Sequence, residues 1–495
     1  PTTSVIKVIN NWVGEAAKEF KIRLSNVNIK PSYGQAAMDV SGGGTTKVEL
    51  DGQNVLDSSE SCRAGLRKQG EGTLIITDET DDTGKKITTP KSNDSGSLIA
   101  KGAGGNGAAG IGGSVAEGTK NITIEGYATV HAAGGGSGAG IGGGYGSKSG
   151  GSAKGIVIRD HATVVAKSDG GYWLGDSCAA IGAAGNKDKD TEAEVTIGTA
   201  GATAEQEDVH VTASGLYGSA IGSGIKDTKV TIQGHSTIRM ESRKNSTAIG
   251  SNYGNVEVNI KDNVTIDAKD EGTSIRYEGG GSGIGGGDIR GDSNRKVVVN
   301  IDGGTNGKVK IGDYIEIFGE YGAISGTEVN IGDNVLLKMK PWGSPDDKYI
   351  NVNGAEAAVG TRNNPAAGGL VNTIGDNTEL WYYKRGVQHK IVHGKNVCTK
   401  KEIGRKDATC TEDGWVKYEC TYESNRYATA RDHTDQWTET IPATGHRWGE
   451  WVEDTAAGTR TRECSVCHAT ETEPLPSDTN SALELRVVDA EGMDQ

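Results

Sequence analysis

The stretch Ala139-Gly140-Ile141-Gly142-Gly143-Gly144 decides the fold of this chain, because related stretches recur through most of the sequence. The strong copies place a small residue before an aliphatic residue and glycine after it. The aliphatic centres are Leu66, Ile111, Ile141, Ile181, Ile221, Ile249, Ile284, Ile324 and Val359. They follow one another at steps of 45, 30, 40, 40, 28, 35, 40 and 35 residues. A constant element with spacers of variable length is typical of a stacked repeat, in which no unit buries its apolar face alone.

The spacers contain pairs of short segments in which β-branched and polar residues alternate. Residues 121–124 pair with 128–130 in this way, and residues 256–260 pair with 264–266. Alternation with a period of two, broken by turn residues, predicts strand, turn and strand. Together with the glycine phrase this gives three short strands per turn, and we predict an all-β right-handed parallel β-helix. Its inward positions would be Val, Ile and Ala, and the glycines beside each Ile would adopt positive φ at a tight corner.

Composition supports a narrow solenoid and excludes several classes of function. Glycine supplies 77 of 495 residues and phenylalanine only 2, so a thick aromatic core is excluded. The formal net charge of −14 argues against nucleic acid as a partner, because a phosphate-binding surface should be basic. No run of 18 or more apolar residues occurs, so we predict no transmembrane segment.

Composition changes near residue 385, where glycine becomes rarer and cysteine, tryptophan, threonine and histidine become common. Five of the seven cysteines lie beyond this point, and they are Cys398, Cys410, Cys420, Cys464 and Cys467. Only one complete Cys-x-x-Cys pair is present, so we predict disulfides or free thiols, with no metal and no cofactor. The alternative is a tetrahedral zinc site formed by Cys464 and Cys467 with His446 or His468.

Two stretches of the tail resemble a known bacterial module. Residues 408–420 carry Ala-Thr-Cys-Thr-Glu-Asp-Gly-Trp, and residues 440–451 carry Ile-Pro-Ala-Thr-Gly-His-Arg-Trp before the Cys464-Ser465-Val466-Cys467 pair. They are similar to Cys-containing surface repeats near the C-terminus of large secreted or wall-attached proteins of Gram-positive gut bacteria. The chain departs from that pattern at Glu423, where the repeat usually has a cysteine, and near 456–458, where the early cysteine is missing.

The Gly-Ala-Gly-Ile-Gly-Gly-Gly phrase resembles the β-helical region, often labelled carbohydrate-binding, that precedes such repeats. The two resemblances imply an extracellular protein, secreted or attached to the cell wall, that is a monomer within a larger wall-attached protein. They also imply a β-helix over 1–390, a first surface repeat over 391–446, and a second, degenerate repeat with a linker over 447–495.

Long excursions at the corners of a β-helix are the expected positions of a site, because the strands form the scaffold. The informative excursions, 168–177, 268–282, 318–322 and 341–354, all precede the glycine phrase, so we expect them along one edge. Their aromatic rings and charges suit sugars, whose C–H faces pack on rings while hydroxyls bond to carboxylates and arginine. The predicted ligand-binding residues are Asp169, Tyr172, Trp173, Asp176, Tyr217, Arg276, Tyr277, Tyr321, Trp342 and Tyr349.

The predicted function is therefore adhesin-like binding of host mucin or dietary glycans. The enzymatic alternative is a glycoside hydrolase, which needs two carboxylates about 5–5.5 Å or about 6.5–9.5 Å apart. Coils about 4.8 Å apart could supply either spacing. The candidate acids are Asp270, Glu271, Glu278, Glu320, Asp346 and Asp347. A passive stalk is the third alternative, since exposed loops are generally polar and rings often only cover a solenoid's flank.

Overall fold

The computed structural model divides the chain into two compact units. Unit 1 comprises Pro1–Cys398 and Tyr422–Asp432, and unit 2 comprises Thr399–Thr421 and His433–Gln495. The structure describes residues 1–12, 19–80, 84–87, 96–105, 107–146, 150–169, 176–186, 191–215, 218–223, 227–242, 247–251, 253–268, 283–286, 295–312, 324–338, 350–352, 355–356, 373–375, 377–384, 387–393, 401–422 and 433–476. These residues contain no helix, and therefore no helix with the length and apolarity to cross a membrane.

Unit 1 is a right-handed parallel β-helix with three sheets, which confirms the predicted fold class. The strands of the first sheet are Ile6–Ile9, Met38–Ser41, Leu66–Lys68, Ile111–Gly112, Ile141–Gly142, Ile181–Gly182, Ile221–Gly222, Ile249–Ser251, Ile284–Gly286, Ile324–Gly326, Ile350–Val352 and Ala355–Glu356. The strands of the second sheet are Phe20–Ser25, Thr46–Asp51, Leu74–Asp78, Thr119–Gly126, Ala153–Ile158, Ala193–Ile197, Thr228–Ile232, Val256–Lys261, Val297–Asp302, Glu328–Ile331 and Thr373–Ile374.

The third sheet completes each coil. Its strands are Asn28–Ile29, Gln53–Asp57, Ser97–Lys101, Thr129–Gly134, Thr163–Ser168, Val209–Gly215, His235–Ser242, Asn263–Ala268, Val309–Ile311, Val335–Lys338, Thr378–Lys384 and Val387–His393. Neighbouring strands pair in parallel, one coil apart, except that the last two strands of the first and third sheets pair antiparallel. A separate antiparallel pair, Asp176–Cys178 with Ala184–Asn186, lies beside the first sheet's strand Ile181–Gly182 in the chain.

The aliphatic centres of the glycine phrase stack in one column of the first sheet, as the sequence predicts. Ile111, Ile141, Ile181, Ile221, Ile249, Ile284 and Ile324 are successive register partners. The column begins earlier than the phrase does, with Ile6 and Met38. After Ile324 it continues with Ile350. The sequence instead predicted Val359 as that centre, and Val359 lies outside the described residues.

The glycine after each isoleucine forms a second column that excludes any side chain. Gly112, Gly142, Gly182, Gly222 and Gly250 have φ between 128° and 141°. A Cβ atom built on Gly182 would lie 2.0 Å from the carbonyl oxygen of Gly222, one coil away. Two requirements therefore coincide at this corner, positive φ and the close approach of successive backbones.

The interior of unit 1 is filled by columns of valine, isoleucine, leucine and alanine, so hydrophobic burial stabilises every coil. On the outward face of the second sheet, an asparagine ladder links three coils. The Nδ2 of Asn300 donates to Oδ1 of Asn259 over 2.8 Å, and the Nδ2 of Asn330 donates to Oδ1 of Asn300 over 2.9 Å. These bonds fix the stacking of neighbouring coils on the face that solvent reaches.

Unit 2 is a small Cys-containing β module, which also agrees with the predicted fold class. It contains a three-stranded sheet of Lys401–Lys406, Gly414–Tyr422 and His433–Ile441, and an antiparallel sheet of Val452–Asp454, Thr459–Glu463 and Thr470–Pro474. Among the residues of this unit that the structure describes, the buried hydrophobic ones are Cys410, Val416 and Cys464. The described part of the unit therefore contains almost no apolar core.

Candidate functional site

Most predicted site residues lie outside the part of the chain that the structure describes. Asp169 is exposed and lies 3.2 Å from the Nζ of Lys167, and Asp176 begins the short antiparallel pair opposite Asn186. The fourteen others are outside the described residues, and they are Tyr172, Trp173, Tyr217, Asp270, Glu271, Arg276, Tyr277, Glu278, Glu320, Tyr321, Trp342, Asp346, Asp347 and Tyr349. The expectation that the four excursions lie along one edge stays a prediction.

A groove of about 730 Å³ lies on the outward side of the second sheet. It lies at the beginnings of five successive strands, from Ala153–Ile158 to Val297–Asp302. Coils about 4.8 Å apart give it a length of about 19 Å along the solenoid axis. Ala193, Thr228 and Val256 form part of its lining between the charged side chains. We call this feature the five-coil groove.

The charges along the five-coil groove nearly cancel. Three lysines (Lys154, Lys229 and Lys296) and four acids (Glu192, Glu194, Asp227 and Glu257) line it, which leaves a formal charge of −1. Lys154 forms an ion pair with Glu192, and Lys229 lies 3.6 Å from Glu257. These four side chains are 44–53% exposed, so they remain accessible to a ligand.

One rim of the five-coil groove is fixed by side chains that bond to the backbone of the next coil. Asp227 Oδ1 accepts the amide N–H of Asn255 over 2.8 Å, and Asn255 Oδ1 accepts the amide N–H of Lys296 over 3.0 Å. The sequence reasoning missed this groove because it treated the spacer strands as scaffold. The signal that could have revealed it is the charged column Glu194, Lys229 and Glu257, whose members are register partners.

A second, smaller cleft of about 450 Å³ contains a stacked pair of rings. Tyr127 and His161 occupy equivalent positions in adjacent coils, and their ring centroids are 4.7 Å apart. Asp160, Gln206 and Glu79 also line this cleft, together with Lys86, Ile87 and Gly126. It therefore combines aromatic surface with carboxylates, as predicted for the loops that precede the glycine phrase, and adds the amide group of Gln206.

Glu207 is the described carboxyl group that most resembles the acid a hydrolase would need. Burial raises its pKa to about 7, and the nearby carboxylates of Asp160 and Asp262 act in the same direction. However, Glu207 is only 1% exposed, and both of its oxygens accept the amide N–H of Thr199 at 2.8 and 2.9 Å. These contacts assign it to holding a turn, so its raised pKa is no support for catalysis.

Three tail cysteines and one histidine converge in unit 2. The sulfur atoms of Cys410, Cys464 and Cys467 and a ring nitrogen of His446 all lie within 4.8 Å of one another. Cys410 and Cys464 are buried, at 5% and 0% exposure, while His446 is half-buried and Cys467 is exposed. We call these four residues the Cys3His cluster. Cys420 lies in the strand Gly414–Tyr422, and Cys398 lies outside the described residues.

The thiols of the Cys3His cluster differ in acidity. Burial alone would raise the pKa of Cys464. The backbone N–H groups of Cys467 and Val466, with the side chains of His446 and Cys467, outweigh burial and lower that pKa to about 5. Burial, with hydrogen bonds to Cys467 and Cys464, raises the pKa of Cys410 to about 11.

Known proteins add nothing to these observations, because no protein-family model, curated protein or solved structure matches the chain. The resemblance of the tail to Gram-positive surface repeats, and of the glycine phrase to carbohydrate-binding regions, therefore stays a prediction.

Proposed function

We propose that unit 1 binds uncharged glycans on the outside of a bacterial cell, with the five-coil groove as the principal surface. The observation that carries this proposal is the groove's length combined with its nearly cancelled charge. A glycan presents many hydroxyl groups that both donate and accept hydrogen bonds, and paired lysines and carboxylates offer partners for both. A strongly charged polymer gains little from a surface whose net charge is close to zero.

The groove also offers a reason to favour neutral over acidic sugars. Its acids slightly outnumber its lysines, and two of the lysines already pair with carboxylates. An acidic glycan would have to displace those pairs, whereas a neutral chain could bond to them as they stand. Dietary polysaccharides and the neutral parts of mucin glycans fit this requirement.

Aromatic surface would supply the apolar part of the recognition. The stacked Tyr127 and His161 rings give unit 1 a second contact for sugar C–H faces. The predicted loop residues Trp173 and Trp342 belong to the same proposal. Under it, the protein is secreted or attached to the cell wall and works as a monomeric, adhesin-like part of a larger surface protein.

A glycan array with the full chain tests the proposal, and paired substitutions locate the site. Replacing Lys229 and Glu257 together by alanine removes a groove ion pair without changing the net charge, and we expect binding to neutral glycans to fall at least tenfold. The matched control replaces Lys120 and Glu71, an ion pair of 2.7 Å whose lysine lies on the same sheet and whose two residues are outside the groove lining. The control should bind as the unaltered chain does.

Three outcomes would overturn this proposal. An array without selective binding would refute glycan recognition, and equal losses in the groove and control variants would refute the location. Release of sugar from an uncharged polysaccharide, abolished by a single Asp→Asn or Glu→Gln change among the six predicted acids, would replace binding by hydrolysis.

A further inference from the structure

We propose that the Cys3His cluster of unit 2 is a structural zinc site, formed by Cys410, His446, Cys464 and Cys467. The four donors come from three separate parts of the chain. Cys410 lies in the turn between the strands Lys401–Lys406 and Gly414–Tyr422, and His446 follows the strand His433–Ile441. Cys464 and Cys467 lie in the turn that joins Thr459–Glu463 to Thr470–Pro474. Folding therefore brings together donors up to 57 residues apart.

Backbone contacts hold these three segments against one another without using the donor atoms. Thr444 donates its amide N–H to the carbonyl oxygen of Thr409 over 3.0 Å, which joins the His446 segment to the Cys410 turn. Ser465 donates to the carbonyl oxygen of Arg447 over 2.9 Å, which joins that segment to the Cys464 turn. The scaffold thus brings the four ligand atoms together at one point.

The distance between two sulfur atoms distinguishes the chemical alternatives. Cys410 Sγ and Cys464 Sγ are 3.8 Å apart. A disulfide requires about 2.05 Å. A tetrahedral zinc ion with Zn–S bonds of about 2.3 Å places its sulfur ligands about 3.8 Å apart. The observed separation is too long for a disulfide and matches the separation of two thiolates on one zinc ion. The Cys467 Sγ to His446 Nδ1 distance of 3.2 Å is a few tenths shorter than a zinc site requires, so metal entry would open that edge slightly.

The donor set selects the metal class and the role. Three thiolates and one imidazole form one of the ligand sets of structural zinc, while magnesium and calcium require oxygen ligands. Four protein ligands leave no open position for water or substrate, as in sites that stabilise a fold. The other candidate histidine, His468, is otherwise engaged, because its Nδ1 lies 2.6 Å from Glu463 Oε1. His446 is therefore the fourth ligand.

The composition of unit 2 provides an independent reason for a metal. Of its described hydrophobic residues, only Val416 is buried apart from the cysteines of the cluster. Ile403, Trp415, Val452 and Val466 are exposed. A small module whose described residues form almost no apolar core generally needs disulfides or a metal to fold. Because zinc binding can supply folding free energy directly, the cluster would replace the missing core.

The surroundings of His446 connect the site to the neighbouring strands. Its ring lies 4.5 Å from the ring of Trp448, and the guanidinium of Arg462 lies over both Trp448 and Trp451 at 5.0 and 4.5 Å. Arg462 also forms an ion pair with Glu471 on the next strand. Loss of the metal should therefore disturb the whole hairpin and not only the turn that carries the cysteines.

Metal analysis of the full chain, expressed with zinc and purified under reducing conditions, tests the site. We expect about one zinc per chain, and X-ray absorption should show three sulfur ligands at about 2.3 Å and one nitrogen at about 2.0–2.1 Å. Cys464→Ser and His446→Ala should lose at least 90% of the zinc. The matched controls Cys178→Ser, in the β-helix, and His468→Ala should retain it.

Cobalt substitution tests the same site without any variant. Co²⁺ added to the metal-free chain should give the intense visible and thiolate charge-transfer bands of a tetrahedral sulfur-rich site, and zinc should abolish them. A chain that takes up no zinc even on reconstitution, a Co²⁺ spectrum typical of octahedral oxygen ligands, or a disulfide involving Cys410, Cys464 or Cys467 in the reduced preparation would overturn the proposal. So would equal zinc loss in the Cys178→Ser control.

Hydrogen exchange on the full chain tests the structural role. A chelator should accelerate exchange in residues 401–421 and 433–476 and leave the β-helix strands unchanged, and added zinc should restore protection. Unchanged exchange after complete zinc removal would show that the metal does not support the fold.

Discussion

Replacing Gly182 by alanine should locally open the β-helix. The new Cβ atom would lie 2.0 Å from the carbonyl oxygen of Gly222, at a backbone φ of 134°. An alanine in this conformation costs about 1–2 kcal/mol. The same Gly222 oxygen accepts the amide N–H of Ala183 over 3.0 Å. The backbone must move to relieve the contact, and the movement breaks this buried bond at a further cost of about 1–3 kcal/mol.

The total, about 2–5 kcal/mol, corresponds to an equilibrium constant for local opening that rises about thirtyfold to several thousandfold. Hydrogen exchange of peptides covering 180–184 and 218–223 measures this directly, and it suits a solenoid whose coils can open locally. Gly201→Ala is the matched control, because Gly201 has φ of 69° but no atom within 4 Å of a Cβ. Equal acceleration in the two variants, or none in Gly182→Ala, would refute the idea that close backbone approach requires glycine here.

Three further predictions concern unit 1. Because the folded pKa of Glu207 is raised to about 7, its contribution to stability is complete below about pH 4.5 and is lost as pH rises to 7. Glutamine at this position does not ionise. The Glu207→Gln variant should therefore have the same midpoint temperature of unfolding as the unaltered chain near pH 4 and a higher one at pH 8. A lower midpoint temperature at pH 8 would contradict this. Asn300→Ala removes two hydrogen bonds of the asparagine ladder and should lower the free energy of unfolding, measured by urea denaturation, by about 1–2 kcal/mol. The control Thr231→Ala, in the same column of side chains, should lower it by less than about 0.5 kcal/mol. Trp173→Ala and Trp342→Ala should weaken glycan binding on the array, and unaltered binding in both would remove these loops from the site.

The fold was predictable because its decisive features are local. The isoleucine and glycine that stack in columns recur together in every coil from Ile111 to Ile284, so sequence spacing alone identifies the stack. The end of the array was not predictable from the sequence. Ile350 follows Ile324 in the isoleucine column, although no recognisable glycine phrase surrounds it. There, stacking on the preceding coil determines which residue faces inward, and the local pattern does not.

The candidate sites were less predictable because they depend on contacts between distant segments. Cys464-x-x-Cys467 was visible in the sequence, but the choice between His446 and His468 depends on the bond from His468 to Glu463. Cys410 joins the cluster only through the packing of its turn against the segment around Thr444. The five-coil groove has the same origin, since its lining comes from single outward residues that mean little until the coils are aligned.

The glycine column also makes the solenoid adjustable in length. From Gly112 to Gly250 each coil meets the next through the same pair of backbone surfaces, so one of these coils can be duplicated or deleted without creating a new kind of interface. Each such event would shift everything beyond it by about 4.8 Å and leave the register intact. Spacers of 28 to 45 residues show that the corners already accept insertions of different size. Gene duplication could therefore change the reach of this protein, and the number of adjacent ligand contacts, in single-coil increments.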